Sequence, residues 1–292
     1  MNCAPRSKRG RPAIADAPSS GGSGGEGRLD AVLAERGLAR SRTHAARLIA
    51  DGLVRVGGRQ AAKPSQRVLA SSLIEVDQGD HYVSRAAHKL VAGLDAFGID
   101  ALDRVALDLG ASTGGFTQVL CERGARCVIA LDVGHGQLAP EVAADARVAV
   151  IEGFNARDLT PASLAAAVGE GVDLESLDLV VGDLSFISLT MVIPAIVHTV
   201  APGSDLVLLV KPQFEVGRGG IREGIVREPG LRSDAVMTVL WSAWDLGWGT
   251  AGIVSSPILG GSGNHEYVVH LRADGGNPTE WMERVSELAG ER

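Results

Sequence analysis

The pattern of apolar and polar residues divides the chain into segments of different character. Residues 1–26 are rich in Gly, Ser, Pro and Ala, show no periodicity, and are expected to form a disordered tail. Residues 27–77 combine short helical and extended patterns, which predicts a small α+β domain. After a linker at 78–84, apolar runs alternate with helical patterns through residues 85–275. Residues 276–292 then form a C-terminal tail with a helical pattern.

Two short helices are predicted at the start of the small domain. Leu29, Val32 and Leu33 lie on one face of the first. Ser41 is expected to cap the second, which ends at Gly52. Two extended segments follow, and this makes a compact domain with a thin core. The segments are 54–56 and 68–76, with a turn at Gly57–Gly58.

The small domain is basic, although the whole chain has a net charge of −7. From residue 28 to 77 there are nine Arg or Lys and five Asp or Glu, a net charge of +4, so the remainder carries −11. Exposed basic side chains are the usual phosphate contacts of an RNA-binding protein. The alternative is that they only form a solvated surface. The predicted RNA contacts are Arg28, Arg40, Arg42, Arg47, Arg55, Lys63 and Arg85.

Five apolar runs between residues 105 and 210 predict the strands of a buried sheet. They lie at 105–107, 127–131, 148–151, 177–181 and 206–210, and helical patterns separate them. Such a pattern predicts a doubly wound α/β fold, a parallel sheet covered by helices on both faces. Ligands of these folds bind at the carboxyl ends of the strands. A helix near 232–246 and strands at 252–254 and 267–271 complete the set.

A glycine-rich loop follows the first of these strands. Asp108-Leu109-Gly110 ends the strand, and Gly114-Gly115 opens the next helix. Asp132, after the second strand, is placed to accept hydrogen bonds from a ribose diol. These features fit NAD as well as S-adenosylmethionine, and a structural tight turn is a further alternative. The loop lacks the second glycine of the GxGxxG fingerprint that holds a pyrophosphate.

The loop resembles the first motif of class I methyltransferases, which implies a Rossmann-like domain that binds S-adenosylmethionine. Asn155, after the third strand, matches a position that contacts adenine in that family, and an Asn-stabilised turn explains it equally well. The residues assigned to the cofactor are Asp108, Gly110, Ser112, Thr113, Gly114, Gly115, Phe116, Asp132, Asn155 and Asp183.

Four charged residues stand at chemically informative places. Asp183 and Lys211 end the fourth and fifth strands, Glu266 begins the last strand, and Lys89 precedes the cofactor domain. In this order they resemble the Lys-Asp-Lys-Glu tetrad of the FtsJ-like RNA ribose 2'-O-methyltransferases. Taken singly, Lys89 and Glu266 could equally be ordinary surface charges.

The small domain resembles the alpha-L RNA-binding domain first seen in a small-subunit ribosomal protein. Its motifs include Arg28-Leu29-Asp30, Ser41-Arg42 and Lys63-Pro64-Ser65. Joined to the tetrad, it is similar to the TlyA family, historically called haemolysins. That resemblance implies methylation of a cytidine ribose in 16S ribosomal RNA, 23S ribosomal RNA or both.

The tetrad suits proton abstraction from a hydroxyl group. A lysine at its reference pKa of about 10.4 is a poor base at neutral pH. A second ammonium about 4 Å away costs about 4 kcal/mol at an effective dielectric of about 20. We hypothesise that Lys211 is the base, that Lys89 tunes it and orients the ribose, and that Asp183 and Glu266 hold the ammonium groups. Because the carboxylates favour the charged forms, the sequence leaves open which lysine is neutral.

Several other classes of protein are disfavoured. Cys3, Cys121 and Cys127 have no paired spacing, which is typical of a cytoplasmic protein without disulfides or a metal site. No apolar stretch is long enough to span a membrane or marks a signal peptide, so we expect a soluble monomer. The alternatives are a membrane-active haemolysin, an inactive ribosome-assembly factor that binds RNA, and a small-molecule methyltransferase. The last would have little use for the basic domain.

Overall fold

The computed structural model describes most of the chain. The described residues are 13–14, 26–39, 41–50, 52–61, 63–69, 71–76, 81–217, 220–260 and 263–290. The predicted RNA contact Arg40 and the side chain of Arg47 lie outside the described part, as do linker residues 78–80. The chain divides into two compact units, residues 1–81 and 82–292.

In its described residues, the first unit contains two helices and two small sheets. Its elements are β1 (Ala13–Ile14), β2 (Glu26–Arg28), α1 (Leu29–Glu35), α2 (Arg42–Ala50), β3 (Val54–Val56), β4 (Arg59–Gln60), β5 (Arg67–Leu69) and β6 (Ile74–Val76). The sheets have the orders β1-β6-β3-β4 and β2-β5. The predicted apolar face of α1 is buried, and the Oγ of Ser41 accepts a hydrogen bond from the backbone N of His44 at 3.2 Å. Both helix predictions are therefore confirmed.

One expectation for this unit is wrong. The segment 68–76 is not one extended run, because β5 pairs with β2 whereas β6 pairs with β3. The chain turns between them at Ser72, whose Oγ accepts from the backbone N of Leu69 at 3.1 Å. Pairing across the sheet, which has no local signal, decides this case. Most of the predicted disordered tail 1–26 lies outside the described residues; at its described positions, β1 pairs antiparallel with β6 and Glu26 belongs to β2.

The second unit has a seven-stranded sheet at its centre. Its strands are β7 (Val105–Leu109), β8 (Cys127–Asp132), β9 (Val148–Glu152), β10 (Leu177–Gly182), β11 (Asp205–Val210), β12 (Gly249–Ser255) and β13 (Tyr267–Arg272). The helices are α3 (Ala87–Phe97), α4 (Gly115–Glu122), α5 (Pro140–Ala143), α6 (Pro161–Val168), α7 (Ile193–Thr199), α8 (Pro212–Glu215), α9 (Pro229–Trp244) and α10 (Met282–Ala289). The predicted doubly wound α/β fold is confirmed.

Apolar side chains cover both faces of this sheet. In β11, Leu206 and Leu208 belong to one buried cluster, whereas Val207 and Leu209 belong to another. This follows from the alternation of side chains along a strand. Helix α3 supplies Leu90 to the second cluster. A run that is apolar at every position is thus a strand buried on both sides.

The strand order explains where a ligand can bind. The order is β12-β13-β11-β10-β7-β8-β9. The strands β8 and β9 are added on one side of β7, and β10 and β11 on the other, so the strand order switches at β7. One correction to the predicted parallel sheet is β13, which runs antiparallel to β11 and pairs Tyr267 with Val210. The beginning of β13 therefore lies at the same edge as the ends of the parallel strands. That geometry brings Glu266 to the edge where Asp183 and Lys211 lie.

The C-terminal segment is helical but is not a separate tail. Val285 of α10 is buried in the same cluster as residues of α9. Ala289 is buried as well. The region 276–292 is consequently part of the second unit in its described residues, because its apolar face is needed to cover that side of the sheet.

Candidate active site

The loop between β7 and α4 depends on its glycines. Gly110 has φ +79°, and a Cβ at this position would lie 3.1 Å from the carbonyl oxygen of Asp183. Gly114 has φ +94°, where a Cβ would lie 2.8 Å from Leu138. L side chains rarely adopt such angles. Glycine at position 110 keeps the backbone close to the residue that follows β10, and glycine at position 114 lets the start of α4 pack closely against Leu138 and Val142.

A cavity of about 210 Å³ opens beside this loop. Its lining joins backbone and small side chains of the glycine loop to the tetrad residues Asp183 and Lys211. The lining residues are Ser84, Ala86, Gly110, Ala111, Ser112, Thr113, Gly115, Phe116, Asp183, Ser185 and Lys211. Most of the residues predicted for a cofactor thus line one space, and two predicted catalytic residues share it.

Asp108 lies beneath the loop and is fully buried. The hydroxyl of Thr117 donates to its Oδ2 at 2.6 Å, whereas its Oδ1 has no hydrogen-bond partner among the described residues. Burial raises the pKa of Asp108 to about 7, and the hydrogen bond from Thr117 opposes this. A carboxyl group with one unsatisfied oxygen at a cofactor loop fits a site that a polar ligand completes.

Asp132 and Asn155 have local partners. The carboxylate of Asp132 accepts from the backbone N of Ser112 at 2.8 Å and from that of Gly134 at 2.7 Å. Asn155 caps a short 3₁₀ helix, and its Oδ1 accepts from the backbone N of Arg157 at 3.1 Å. The Asn-stabilised turn is therefore present, and contact of either residue with a cofactor stays a prediction.

The four tetrad residues form one continuous chain of ion pairs. Asp183 stands at its centre, with Oδ1 2.6 Å from the Nζ of Lys211 and Oδ2 3.2 Å from that of Lys89. Glu266 continues it, with Oε2 2.7 Å from the Nζ of Lys89. Three of the four side chains are at most 9% exposed, and Asp183 is 14% exposed. Residues far apart in the sequence therefore share one buried charge network.

Four residues that the sequence did not single out, Ser185, Phe186, Phe214 and Glu215, lie in the two segments that follow Asp183 and Lys211. The Nζ of Lys211 donates to the Oγ of Ser185 at 2.7 Å. Phe186 is 92% exposed with φ +64°, and its ring lies 5.4 Å from that of Phe214. Glu215 holds this loop, because its Oε1 accepts from the backbone N of Leu189 at 2.9 Å and its Oε2 accepts from the hydroxyl of Ser188. Burial raises the pKa of Glu215 above its ordinary value. In the sequence, the only indication that these residues matter is that they lie within four positions of Asp183 or Lys211.

The predicted RNA contacts differ in their surroundings. Arg28 and Arg42 both pair with the buried Asp30, each with an Nη2–Oδ2 distance of 3.1 Å. The arginine partners hold the pKa of Asp30 at about 2, even though its burial opposes this. Arg55 and Lys63 are exposed. Arg85 is exposed on the second unit, in the segment before α3.

The described residues contain neither a candidate metal site nor a candidate membrane-spanning helix. No group of three or more His, Cys, Asp or Glu in that part of the chain is arranged to hold a metal ion. Among the described helices, none combines the length and the apolar character that crossing a membrane requires.

Comparisons with known proteins identify both units. A family model described as FtsJ-like methyltransferase matches residues 82–273, and one described as an S4 domain matches 27–74. The 16S/23S rRNA (cytidine-2'-O)-methyltransferase TlyA of Mycobacterium tuberculosis is 50% identical over 248 residues, 84% of this chain and 89% of the relative. Hemolysin A of Brachyspira hyodysenteriae is 38% identical over 84% of this chain and 99% of its own length.

A solved structure agrees with these relatives. A protein of Streptococcus thermophilus that carries the name of a hemolysin superposes with a TM-score of 0.69 at 35% identity, over 91% of this chain and 96% of its own. The agreement thus covers both the order of the domains and the fold. The chain belongs to the TlyA family of FtsJ-like methyltransferases.

Proposed function

We propose that this enzyme transfers the methyl group of S-adenosylmethionine to a ribose 2'-hydroxyl of cytidine in ribosomal RNA. The FtsJ-like family model and the Mycobacterium tuberculosis relative support methylation of rRNA. Cytidine, and both 16S and 23S rRNA as candidate substrates, come to this chain from that relative's name. The S4 match supports RNA as the partner.

One observation carries the proposal. The buried chain from Lys211 through Asp183 and Lys89 to Glu266 reaches the same cavity that the glycine loop lines. In this proposal the proton acceptor and the cofactor site are adjacent, as an in-line methyl transfer requires.

The cofactor fits the residues around this cavity. Gly110 and Gly114 let the backbone approach a ligand closely, and the unsatisfied Oδ1 of Asp108 lies beneath the loop. Bound S-adenosylmethionine would supply a methyl group activated by a sulfonium. We assign the cofactor contacts to Asp108, Gly110, Ser112, Thr113, Gly114, Gly115, Phe116, Asp132, Asn155 and Asp183.

The tetrad residues take the following roles. Lys211 accepts the proton of the 2'-hydroxyl through its Nζ, which lies on the wall of the cavity. Asp183 aligns both lysines, since each of its oxygens contacts a different Nζ. Lys89 orients the ribose, and Glu266 keeps Lys89 paired.

The small domain binds the RNA in this proposal. Arg28, Arg42, Arg55 and Lys63, with Arg40 and Arg47 and with Arg85 of the second unit, supply phosphate contacts that carry no sequence information. We expect the choice of nucleotide to depend on the catalytic unit.

The test is direct transfer to RNA. Tritiated S-adenosylmethionine is incubated with the full chain and separated ribosomal subunits, and the methylated ribose is mapped by resistance to alkaline cleavage. The proposal predicts label on a cytidine ribose. Absence of transfer to any RNA, when calorimetry shows that the cofactor binds, would contradict it.

A further inference from the structure

The two lysines of the tetrad have different partners. Lys89 contacts two carboxylates, with Nζ 3.2 Å from Asp183 and 2.7 Å from Glu266. Lys211 contacts one carboxylate, at 2.6 Å from Asp183, and one hydroxyl, at 2.7 Å from the Oγ of Ser185. The side chains of both lysines are 9% exposed, so burial does not distinguish them.

The difference matters for protonation. An ionised carboxylate only accepts hydrogen bonds, and it therefore favours an ammonium partner. A serine hydroxyl accepts from an ammonium group and donates to a neutral amine. Lys89 thus has surroundings suited to one protonation state, whereas Lys211 has a partner that serves both.

The loop that carries Ser185 is held in place. Glu215 accepts from the backbone N of Leu189 at 2.9 Å and from the hydroxyl of Ser188. Between Ser185 and Ser188, Phe186 adopts φ +64°, and its ring centroid lies 5.4 Å from that of Phe214. Because this loop is anchored, the hydroxyl oxygen of Ser185 keeps its position when Lys211 gains or loses a proton.

We infer that Ser185 is a positioning residue for Lys211, keeping its Nζ directed at the substrate both before and after proton transfer. The inference rests on the proposed function and extends it. Nζ donates a hydrogen bond to Ser185 and makes an ion pair with Asp183, and a further hydrogen-bonding direction is left for the ribose hydroxyl. Ser185 donates to the neutral amine before the transfer and accepts from the ammonium after it.

The chemistry balances around this change. The 2'-O–H bond breaks, and its proton forms an N–H bond on Lys211. The ribose oxygen forms a bond to the methyl carbon as the bond between that carbon and sulfur breaks, and the electron pair stays on sulfur. The hydroxyl proton of Ser185 only turns, so no further reactant is needed.

Several other groups lie near Lys211 and act on it in any experiment in which pH is varied. Asp183 contacts Lys211 directly, and Lys89 and Glu266 extend the network from α3 and from the start of β13. Asp108 of β7 interacts with Asp183. Glu215 of α8 is held by Ser188 and Leu189, and the ring of Phe214 lies 5.8 Å from the Nζ of Lys211. None of these groups is altered in the variants below.

A matched pair of substitutions tests the inference. Ser185→Asp gives Lys211 a second carboxylate, as Lys89 has, whereas Ser185→Asn has the same size without the charge. Single-turnover methyl transfer to ribosomal subunits is measured against pH for both. We expect the pH midpoint of the Asp variant to lie about one unit above that of the Asn variant, with activity recovering at high pH.

Two further variants separate positioning from a general structural role. Ser185→Ala should lower the single-turnover rate about tenfold or more while calorimetry with S-adenosylhomocysteine gives wild-type affinity. Ser185→Thr keeps the hydroxyl and should restore most of the rate. A wild-type rate for the Ala variant, or coincident pH profiles for the Asp and Asn variants, would overturn the inference. The proposed function would still stand if the wild-type chain methylates RNA and Lys211→Met does not.

Discussion

The two units of the chain use their charged residues in opposite ways. In the S4 domain, Arg55 and Lys63 are exposed to solvent. In the methyltransferase domain, Lys89 and Lys211 are 9% exposed and paired with carboxylates. Exposed charges act through a screened field that each residue adds to independently. Buried, connected charges depend on one another, since removing one leaves its partners uncompensated.

Because of this contrast, we expect substitutions in the two regions to affect different measured quantities. Substitutions on the S4 surface should change the affinity for RNA in small steps that depend on salt. Substitutions in the buried network should change the rate by large factors and leave RNA affinity nearly constant. The following predictions test that division, beginning with the largest effect.

Lys211→Met should reduce the rate of methyl transfer by about 10²- to 10⁴-fold, because it removes the proton acceptor. Filter binding should give an unchanged Kd for ribosomal subunits, since Lys211 lies in the cavity and not on the S4 surface. Single-turnover assays with saturating cofactor measure the rate. A variant with wild-type activity would remove Lys211 from the mechanism.

Asp108→Asn should remove a pH dependence from the stability of the catalytic unit. Burial raises the pKa of Asp108 from 3.8 to about 7, so the folded state binds more protons than the unfolded state between these pH values. The wild-type free energy of unfolding should therefore fall, relative to that of the variant, by up to about 1.4 kcal/mol per pH unit as pH rises from 4 to 7.

Tryptophan fluorescence isolates this effect. The four tryptophans are Trp241, Trp244, Trp248 and Trp281, all in the methyltransferase domain, so urea unfolding followed by fluorescence reports that unit alone. Parallel pH profiles of the variant and the wild type would show that Asp108 is ionised normally.

Gly110→Ala should destabilise the catalytic unit by about 1–2 kcal/mol and weaken cofactor binding. The residue has φ +79°, and the added Cβ would lie 3.1 Å from the carbonyl oxygen of Asp183. Gly136→Ala is the matched control, because Gly136 has φ +62° with no atom within 4 Å of its Cβ position. Equal losses of cofactor affinity in calorimetry would mean that backbone strain alone accounts for the result.

Arg55→Ala should weaken RNA binding severalfold at low salt and reduce the slope of log K against log salt by about one. The rate with saturating RNA should be unchanged. Arg42→Ala should have a smaller effect, because Arg42 shares Asp30 with Arg28. Filter binding at a series of salt concentrations checks both, and a salt slope unaffected by either change would exclude this surface from the RNA interface.

The sequence predicted most of the catalytic unit because its strands are buried on both faces. The runs at 127–131 and 206–210 admit few other interpretations, and the charges at the ends of strands marked the site. The direction of β13 had no such signal, since an apolar run reads the same in either direction. Yet that direction is what brings Glu266 to Lys89.

Other features depend on contacts between distant residues. The turn at Ser72 contains no Gly or Pro, and only the pairing of β5 with β2 and β6 with β3 reveals it. Ser185 became informative once its Oγ was found beside Lys211. Asn155 shows the limit of motif matching, because the local turn already occupies its side-chain oxygen.

The central claim is that the buried charges act as one catalytic unit, and a double-mutant cycle tests it most directly. Single-turnover methyl transfer is measured for Lys89→Met, Glu266→Gln and the double variant, with Arg55→Ala and Lys63→Ala as the exposed pair scored by RNA affinity. We expect the variant with both Lys89→Met and Glu266→Gln to be no slower than the slower of the two single variants. For Arg55→Ala and Lys63→Ala, we expect the losses of RNA-binding free energy to add. If the fold-reduction in rate of the double variant equals the product of the two single fold-reductions, the buried charges do not act as one catalytic unit.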